Sequence, residues 1–119
     1  MPEKRILLVE DEPAILELFA DDLRAKGYVV DLAACVAEGQ KHLDAQSYAL
    51  VIADWRLPDG NGIDLADRAI KLRAKTFIIS GYLFGLPAGA ADRHKLLRKP
   101  MRPGDLVAAV ERSIGKAGI

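Results

Sequence analysis

Asp54 closes the apolar run Ala49-Leu50-Val51-Ile52-Ala53, and the chain then turns through Leu57-Pro58-Asp59-Gly60. Glu10 and Asp11 close Ile6-Leu7-Leu8-Val9 in the same way. Two buried-type strands therefore each deliver carboxylate at their C-terminal ends. In an open parallel α/β sheet that edge is where ligands bind. Three acids meeting there repel one another, and a divalent cation relieves the repulsion. Oxygen-only ligands favour a hard cation, and carboxylates completed by water favour Mg²⁺. Two more polar groups stand at later strand ends: Ser80 after Thr76-Phe77-Ile78-Ile79, and Lys99-Pro100 after Lys95–Arg98. A carboxylate nucleophile, a divalent metal, a hydroxyl and a cation are the parts that phosphoryl transfer needs, because charge develops on the equatorial oxygens and positioned charges stabilise it. In that chemistry Asp54 is the group that attacks phosphorus and becomes an aspartyl phosphate.

The elements that must position these groups alternate along the chain. Strands are expected at Ile6–Val9, Val29–Leu32, Ala49–Ala53, Thr76–Ile79 and Lys95–Arg98. Helices are expected at Glu12–Lys26, Val36–Gln46, Gly62–Arg73 and Pro103–Lys116. Pro13 suits the first turn of the first helix and Gly27 ends it. Gly39 weakens the case for the second helix. The last carries Leu106, Val107, Val110 and Ile114 as its buried stripe. Between Gly81 and Asp92, three glycines and Pro87 argue against a long helix, so the fourth helix is expected to be short or irregular. The pattern predicts α/β class: one doubly wound (βα)5 domain over residues 1–119, with helices on both faces of a five-stranded parallel sheet. The flavodoxin-like order 2-1-3-4-5 is expected for five such units.

Composition bounds the rest. The chain has 119 residues, enough for one domain with a conventional core. Lys+Arg and Asp+Glu balance at 17 each, which gives no electrostatic case for direct nucleic-acid or membrane-surface binding. Cys35 is the only cysteine, so no internal disulfide forms and a reducing compartment fits. The N-terminal apolar stretch is too short for a signal peptide, and no apolar run approaches a membrane span. A cytoplasmic location is expected. His42 and His94 lack metal-ligand spacing and are expected at the surface, and Trp55 is expected to pack at or shield the rim of the site.

Taken together, Val9-Glu10-Asp11-Glu12, Asp54 with Leu57-Pro58 and Gly62, Ile79-Ser80-Gly81 and Lys99-Pro100 resemble the receiver domain of bacterial two-component response regulators, and the resemblance covers essentially the whole chain. It implies that Asp54 is the phosphoacceptor, that Asp11 binds Mg²⁺ directly, and that Glu10 acts partly through water. It also implies that the backbone carbonyl of Arg56 completes the metal site. By the same resemblance Ser80 senses the phosphoryl group, Lys99 pairs with it, and the Lys99-Pro100 bond is cis. The implied partners are a histidine kinase or a histidine phosphotransfer protein and a downstream protein target, with a homodimer left open. The implied function is that of a single-domain response regulator that signals by changing its surface and catalyses only its own phosphorylation and dephosphorylation.

The sequence also departs from the receiver pattern. Leu96 stands where receivers usually carry an aromatic residue, three before the lysine. The Ser80-to-Lys99 interval is short and glycine-rich, and Tyr82 is a substitute aromatic two residues after Ser80. Arg56 and Tyr82 flank the places that by resemblance border the path of the hydrolytic water. Two rivals stay in view: a phosphorylation-independent adaptor of the same fold, and an aspartate-nucleophile phosphatase. The latter usually carries a second aspartate two residues after the nucleophile, a place filled here by Arg56. A P-loop enzyme is excluded, because G-x-x-x-x-G-K-[ST] is missing.

Overall fold

A computed structural model describes residues 4–81 and 85–117 of the chain. The elements follow in the order β1 (Arg5–Val9), α1 (Pro13–Ala25), β2 (Val29–Ala33), α2 (Val36–Ala45), β3 (Leu50–Asp54), β4 (Arg56–Leu57), β5 (Gly60–Asn61), α3 (Gly62–Lys71), β6 (Lys75–Ser80), α4 (Ala90–Arg93), β7 (Lys95–Arg98) and α5 (Pro103–Ile114). The main sheet runs β2-β1-β3-β6-β7, with every neighbouring pair parallel. Counting only its own strands, this is the expected order 2-1-3-4-5. The extra pair, β4 and β5, is an antiparallel hairpin inserted between β3 and α3. It was expected only as a turn.

The alternation of strand side chains divides the interior into two layers. Val51 and Ala53 of β3 join Ile78 of β6 on one face, where Leu43 of α2, Ile63, Leu65, Ala66 and Ala69 of α3, and Ala90 of α4 cover them. Leu50 and Ile52 of β3 join Phe77 and Ile79 on the other, beneath Phe19, Ala20 and Leu23 of α1 and Leu106, Val107 and Val110 of α5. Burial on both faces is why β1 and β3 read as unbroken apolar runs rather than alternating ones.

Helix ends follow local chemistry. Pro13 and Pro103 occupy first helical turns, where a missing N–H costs nothing. The four expected helices end one or two residues short of the expected bounds. Arg73 takes φ +70° after α3, and Gly115 takes φ +79° after α5, so the backbone turns left-handed at the expected end of the third helix and one residue before that of the last. Gly39 is not a weak point of α2. A Cβ there would lie 2.8 Å from Leu65 Cδ1, so the missing side chain lets α2 close on α3. The expected short fourth helix is one turn, Ala90–Arg93, and Gly89 enters it at φ +83°. Lys99-Pro100 is cis, as expected.

Candidate functional site

Asp54 is the last residue of β3, level with Ile79 of β6, and the backbone is fixed on either side of it. Trp55 N–H donates to Ile79 O at 2.9 Å, and Gly62 N–H donates back to Trp55 O at 2.8 Å. A Cβ on Gly62 would stand 2.1 Å from the Asp54 carbonyl oxygen, so only glycine lets the start of α3 press against the residue that carries the carboxylate. Asn61 caps α3 by accepting from Asp64 N–H at 3.1 Å. Asp59, at the tip of the hairpin, accepts from Val36 N–H at 2.7 Å and Ala37 N–H at 3.0 Å, capping α2 from a distant part of the sequence. These backbone N–H bonds hold the Asp59 carboxyl below its ordinary range.

The structure brings Glu10, Asp11 and Asp54 together: each offers a carboxylate oxygen, and these oxygens lie within 4.8 Å of one another. Glu10 and Asp54 are buried, whereas Asp11 is exposed at the mouth. Lys99 reaches across from the end of β7, with Nζ 2.8 Å from Asp54 Oδ2 and 3.4 Å from Glu10 Oε2. Burial, then the hydrogen bond and the charge of Asp54, push the Glu10 carboxyl up to about 7, against the opposing pull of Lys99. Burial alone would lower the Lys99 ammonium, but the hydrogen bond and charge of Asp54, followed by those of Glu10, outweigh it and raise it. The pocket is thus short of positive charge, with one lysine set against three acids. All of its donors are oxygens, and the most exposed acid faces solvent where a partly hydrated ion would enter. A hard divalent cation fits that donor set.

Ser80 ends β6 beside Arg98 and is buried, and Lys99 N–H donates to Ser80 O at 2.9 Å. Its hydroxyl is therefore carried at the same end of the sheet as the acids. Arg56 follows on the hairpin, its guanidinium 5.0 Å from the centroid of the Trp55 ring. That contact is a cation–π pair directly after Asp54 in sequence. Trp55 is buried against the α2–α3 side of the core. Leu96 packs against the same layer, filling by simple apolar contact the place where an aromatic would sit in most receivers. Tyr82 lies outside the described residues.

The surface expectation for His94 needs correction, and that for His42 holds only in part. His94 is not at the surface: it is 3% exposed and bonded on both ring nitrogens. His42 is half-buried, with Nε2 2.9 Å from Leu32 O. Sequence reasoning missed both because a lone histidine carries no periodic or spacing signal. It also missed the Asp59 cap, which joins residues more than twenty apart and has no local signature. The Asn61 cap was available, since Asn ahead of an apolar helical pattern is an N-terminal signal.

The family model described as "Response regulator receiver domain" matches residues 6–111, and the chain belongs to that family. It is 32% identical to the acid tolerance regulatory protein ActR of Rhizobium meliloti over 97% of this chain and 62% of that protein. It is 36% identical to the DNA-binding response regulator MtrA of Mycolicibacterium smegmatis, over 90% of this chain and 49% of that one. The chain therefore spans only about half to three-fifths of these relatives. A CheY-like receiver domain from Methanospirillum hungatei superimposes with a TM-score of 0.83 at 30% identity, covering 95% of this chain and 94% of that one. TrrA of Thermotoga maritima, solved with Mg²⁺ and a beryllium fluoride, gives a TM-score of 0.80 at 29% identity, covering 92% of this chain and 97% of that one. The protein is thus a receiver domain of the response-regulator family with the flavodoxin-like sheet and an acidic cluster at its C-terminal edge. No described helix is long and apolar enough to cross a membrane.

Proposed function

We propose that this chain is a Mg²⁺-dependent phosphoacceptor that takes a phosphoryl group on Asp54 from a phosphohistidine and signals by a change of surface. The observation that carries the reading is the convergence of Glu10, Asp11, Asp54 and Lys99 on one small pocket at the sheet edge. In the reaction the donor's P–N bond breaks as a bond forms between phosphorus and Asp54 Oδ. The imidazole leaves with the electron pair of the broken bond. Glu10, Asp11, Asp54 and the Arg56 carbonyl would hold the ion, which when bound neutralises charge on the phosphoryl oxygens. Lys99, already on Asp54, moves onto a phosphoryl oxygen, and the Ser80 hydroxyl donates to another. With Leu96 in place of the usual ring, the response falls to the stretch after Ser80, with Tyr82 as its aromatic.

A histidine kinase or histidine phosphotransfer protein is the donor class, and a downstream protein is the target. An apolar cavity of about 520 Å³ next to Lys99, lined by Ile15, Leu18, Phe19, Pro100 and Met101, supports docking of a protein donor at this edge. Leu18 is 52% exposed there. We read the protein as a cytoplasmic regulator with a receiver domain over residues 1–119 and with no turnover of an external product. The test is mass spectrometry after incubation with acetyl phosphate and Mg²⁺. Wild type should gain one acid-labile phosphoryl group and Asp54→Asn none. Undiminished labelling of Asp54→Asn would remove the assignment, and an unlabelled wild type would favour the phosphorylation-independent adaptor. Steady release of phosphate from acetyl phosphate with many turnovers, without accumulation of the labelled protein, would favour the phosphatase.

A further inference from the structure

A second polar cluster lies at the opposite end of the sheet, and the phosphoryl chemistry above does not use it. His94 joins α4 to β7. Its Nδ1 is 2.6 Å from Thr76 Oγ1 near the start of β6, and its Nε2 is 2.7 Å from Asp67 Oδ1 on α3. The same carboxylate accepts from Arg93, with Nε 2.9 Å from Oδ1 and Nη2 3.3 Å from Oδ2. Two consecutive residues at the end of α4 therefore grip one carboxylate of α3, and one of them also holds β6. An ionised carboxylate only accepts, so Nε2 carries a proton; in the neutral ring, Nδ1 then accepts from the Thr76 hydroxyl. The Asp67 carboxyl is held below its ordinary range. Burial opposes this, but the hydrogen bonds of Arg93 and His94, and then their charges, outweigh it.

The position of this cluster gives it a mechanical meaning. Thr76, Ile78 and Ser80 share one face of β6. The four-residue step from Thr76 to Ser80 spans about 13 Å. The chain thus leaves the sheet at the phosphoacceptor end, by Ser80, and returns to it at the far end, by His94. The return is tight. Ala90 is 1% exposed, His94 N–H donates to Ala90 O at 2.9 Å, and a Cβ on Gly89 would meet Arg93 Nη1 at 2.9 Å. Pulling His94 out of place would leave its buried ring and the buried Thr76 hydroxyl without their partners, which is costly.

We propose that the Asp67–His94–Thr76 chain, with Arg93, is a fixed anchor that stops phosphoryl-driven movement short of β7 and α3, so that the response beginning at Ser80 is spent between residues 81 and 89. The proposal rests on the receiver reading and makes His94 a positioning residue that acts through the backbone of α4.

Hydrogen exchange tests it in two arms. In the metal-free protein, the amides of Asp92 to Lys95 should exchange at least about tenfold more slowly than those of Gly85 to Gly89. His94→Gln, or the milder Thr76→Val if the first folds poorly, should erase most of that difference while leaving β1 and β3 protected. With beryllofluoride and Mg²⁺, wild type should change between residues 81 and 89 and stay unchanged from Arg93 onward, whereas in the variants the change should run into α4 and α3. The anchor is overturned if the metal-free arm shows no difference, or if the wild-type change already crosses Arg93, or if the variants respond as wild type does. A wild type with slow amides at Asp92 to Lys95 but no response to beryllofluoride anywhere would sink the receiver reading, and the limiting role with it. That pattern is distinct from failure of the anchor itself.

Discussion

At the residue scale the pocket is a cluster of like charges that the fold tolerates in order to bind something else. Glu10, Asp11 and Asp54 share a space spanned by one lysine. Removing the central carboxylate should relieve that repulsion, so Asp54→Ala is expected to stabilise the metal-free protein by about 1 kcal/mol. In the same variant, and in Asp11→Ala, added Mg²⁺ should raise the melting temperature far less than in wild type, where it stabilises by mass action. Equal Mg²⁺ shifts in the three proteins, read by differential scanning fluorimetry, would contradict this. Arg56 makes a second prediction at this scale. Its guanidinium lies over the Trp55 ring, and the residue is exposed. From there it is placed to screen the phosphoryl group or to pair with its oxygens. The double variant Arg56→Ala, Tyr82→Ala should therefore lose phosphate faster than wild type. An unchanged or slower loss of label would take both residues out of the account.

At the scale of elements, two glycines show how the frame around Asp54 is set, and they should respond differently to the same substitution. An added methyl on Gly62 meets backbone, the Asp54 carbonyl oxygen at 2.1 Å, and backbone cannot step aside. On Gly39 it meets the tip of Leu65 at 2.8 Å, which can change rotamer. Alanine also favours the interior of α2 by up to about 1 kcal/mol over glycine. Gly62→Ala should therefore cost several kcal/mol and displace the carboxylate, while Gly39→Ala should change stability by about 1 kcal/mol or less. Urea melts of the two variants check this. The same pair shows what a sequence exposes. The sheet and both of its faces were readable, because apolar runs and helical stripes report burial directly. Asp54, Glu10, Asp11 and Ser80 were readable because each sits at the end of such a run, and Lys99 because Lys99-Pro100 completes the resemblance to receivers. What Gly39 does was not readable, since a glycine written in a helix looks like a weakness until its neighbour Leu65 is placed. The β4–β5 hairpin was hidden for a similar reason: two-residue strands are too short for any periodicity, and the Asp59 cap that steadies it joins residues far apart in sequence.

At the scale of the whole molecule, Glu10 in the pocket and the paired carboxyls outside it respond to acid in opposite senses. Glu10 takes up its proton more readily in the folded protein, at about 7, than in the unfolded chain, at 4.5. The stabilisation from that proton is complete below 4.5 and is lost as the pH rises through about 7. Asp31, pulled down by Tyr48 and Arg5 against the effect of burial, and Asp67 have the reverse sense. Their contribution is present above the unfolded value of 3.8 and disappears as the pH falls through their lower folded values. Metal-free protein should therefore grow more stable from pH 8 down to about pH 5, and then lose stability steeply below about pH 4. Excess Mg²⁺ should flatten or invert the first limb, because protons then compete with the ion. Chemical denaturation across this range checks both limbs, and a flat metal-free curve between pH 8 and 5 would contradict the protonation of Glu10.

The burial of Trp55 has an optical consequence. It is the only tryptophan in the chain, it is 9% exposed, and it follows Asp54 directly in sequence. Its indole ring is bordered by the Arg56 cation, and an added Cβ at Gly85 would lie 3.9 Å from its Cη2. The ring therefore lies close both to the residue after the phosphoacceptor candidate and to the backbone at Gly85. On the proposed function, ion entry and phosphoryl transfer would each alter the surroundings of this single tryptophan, so its emission in the unlabelled protein should record both events in time.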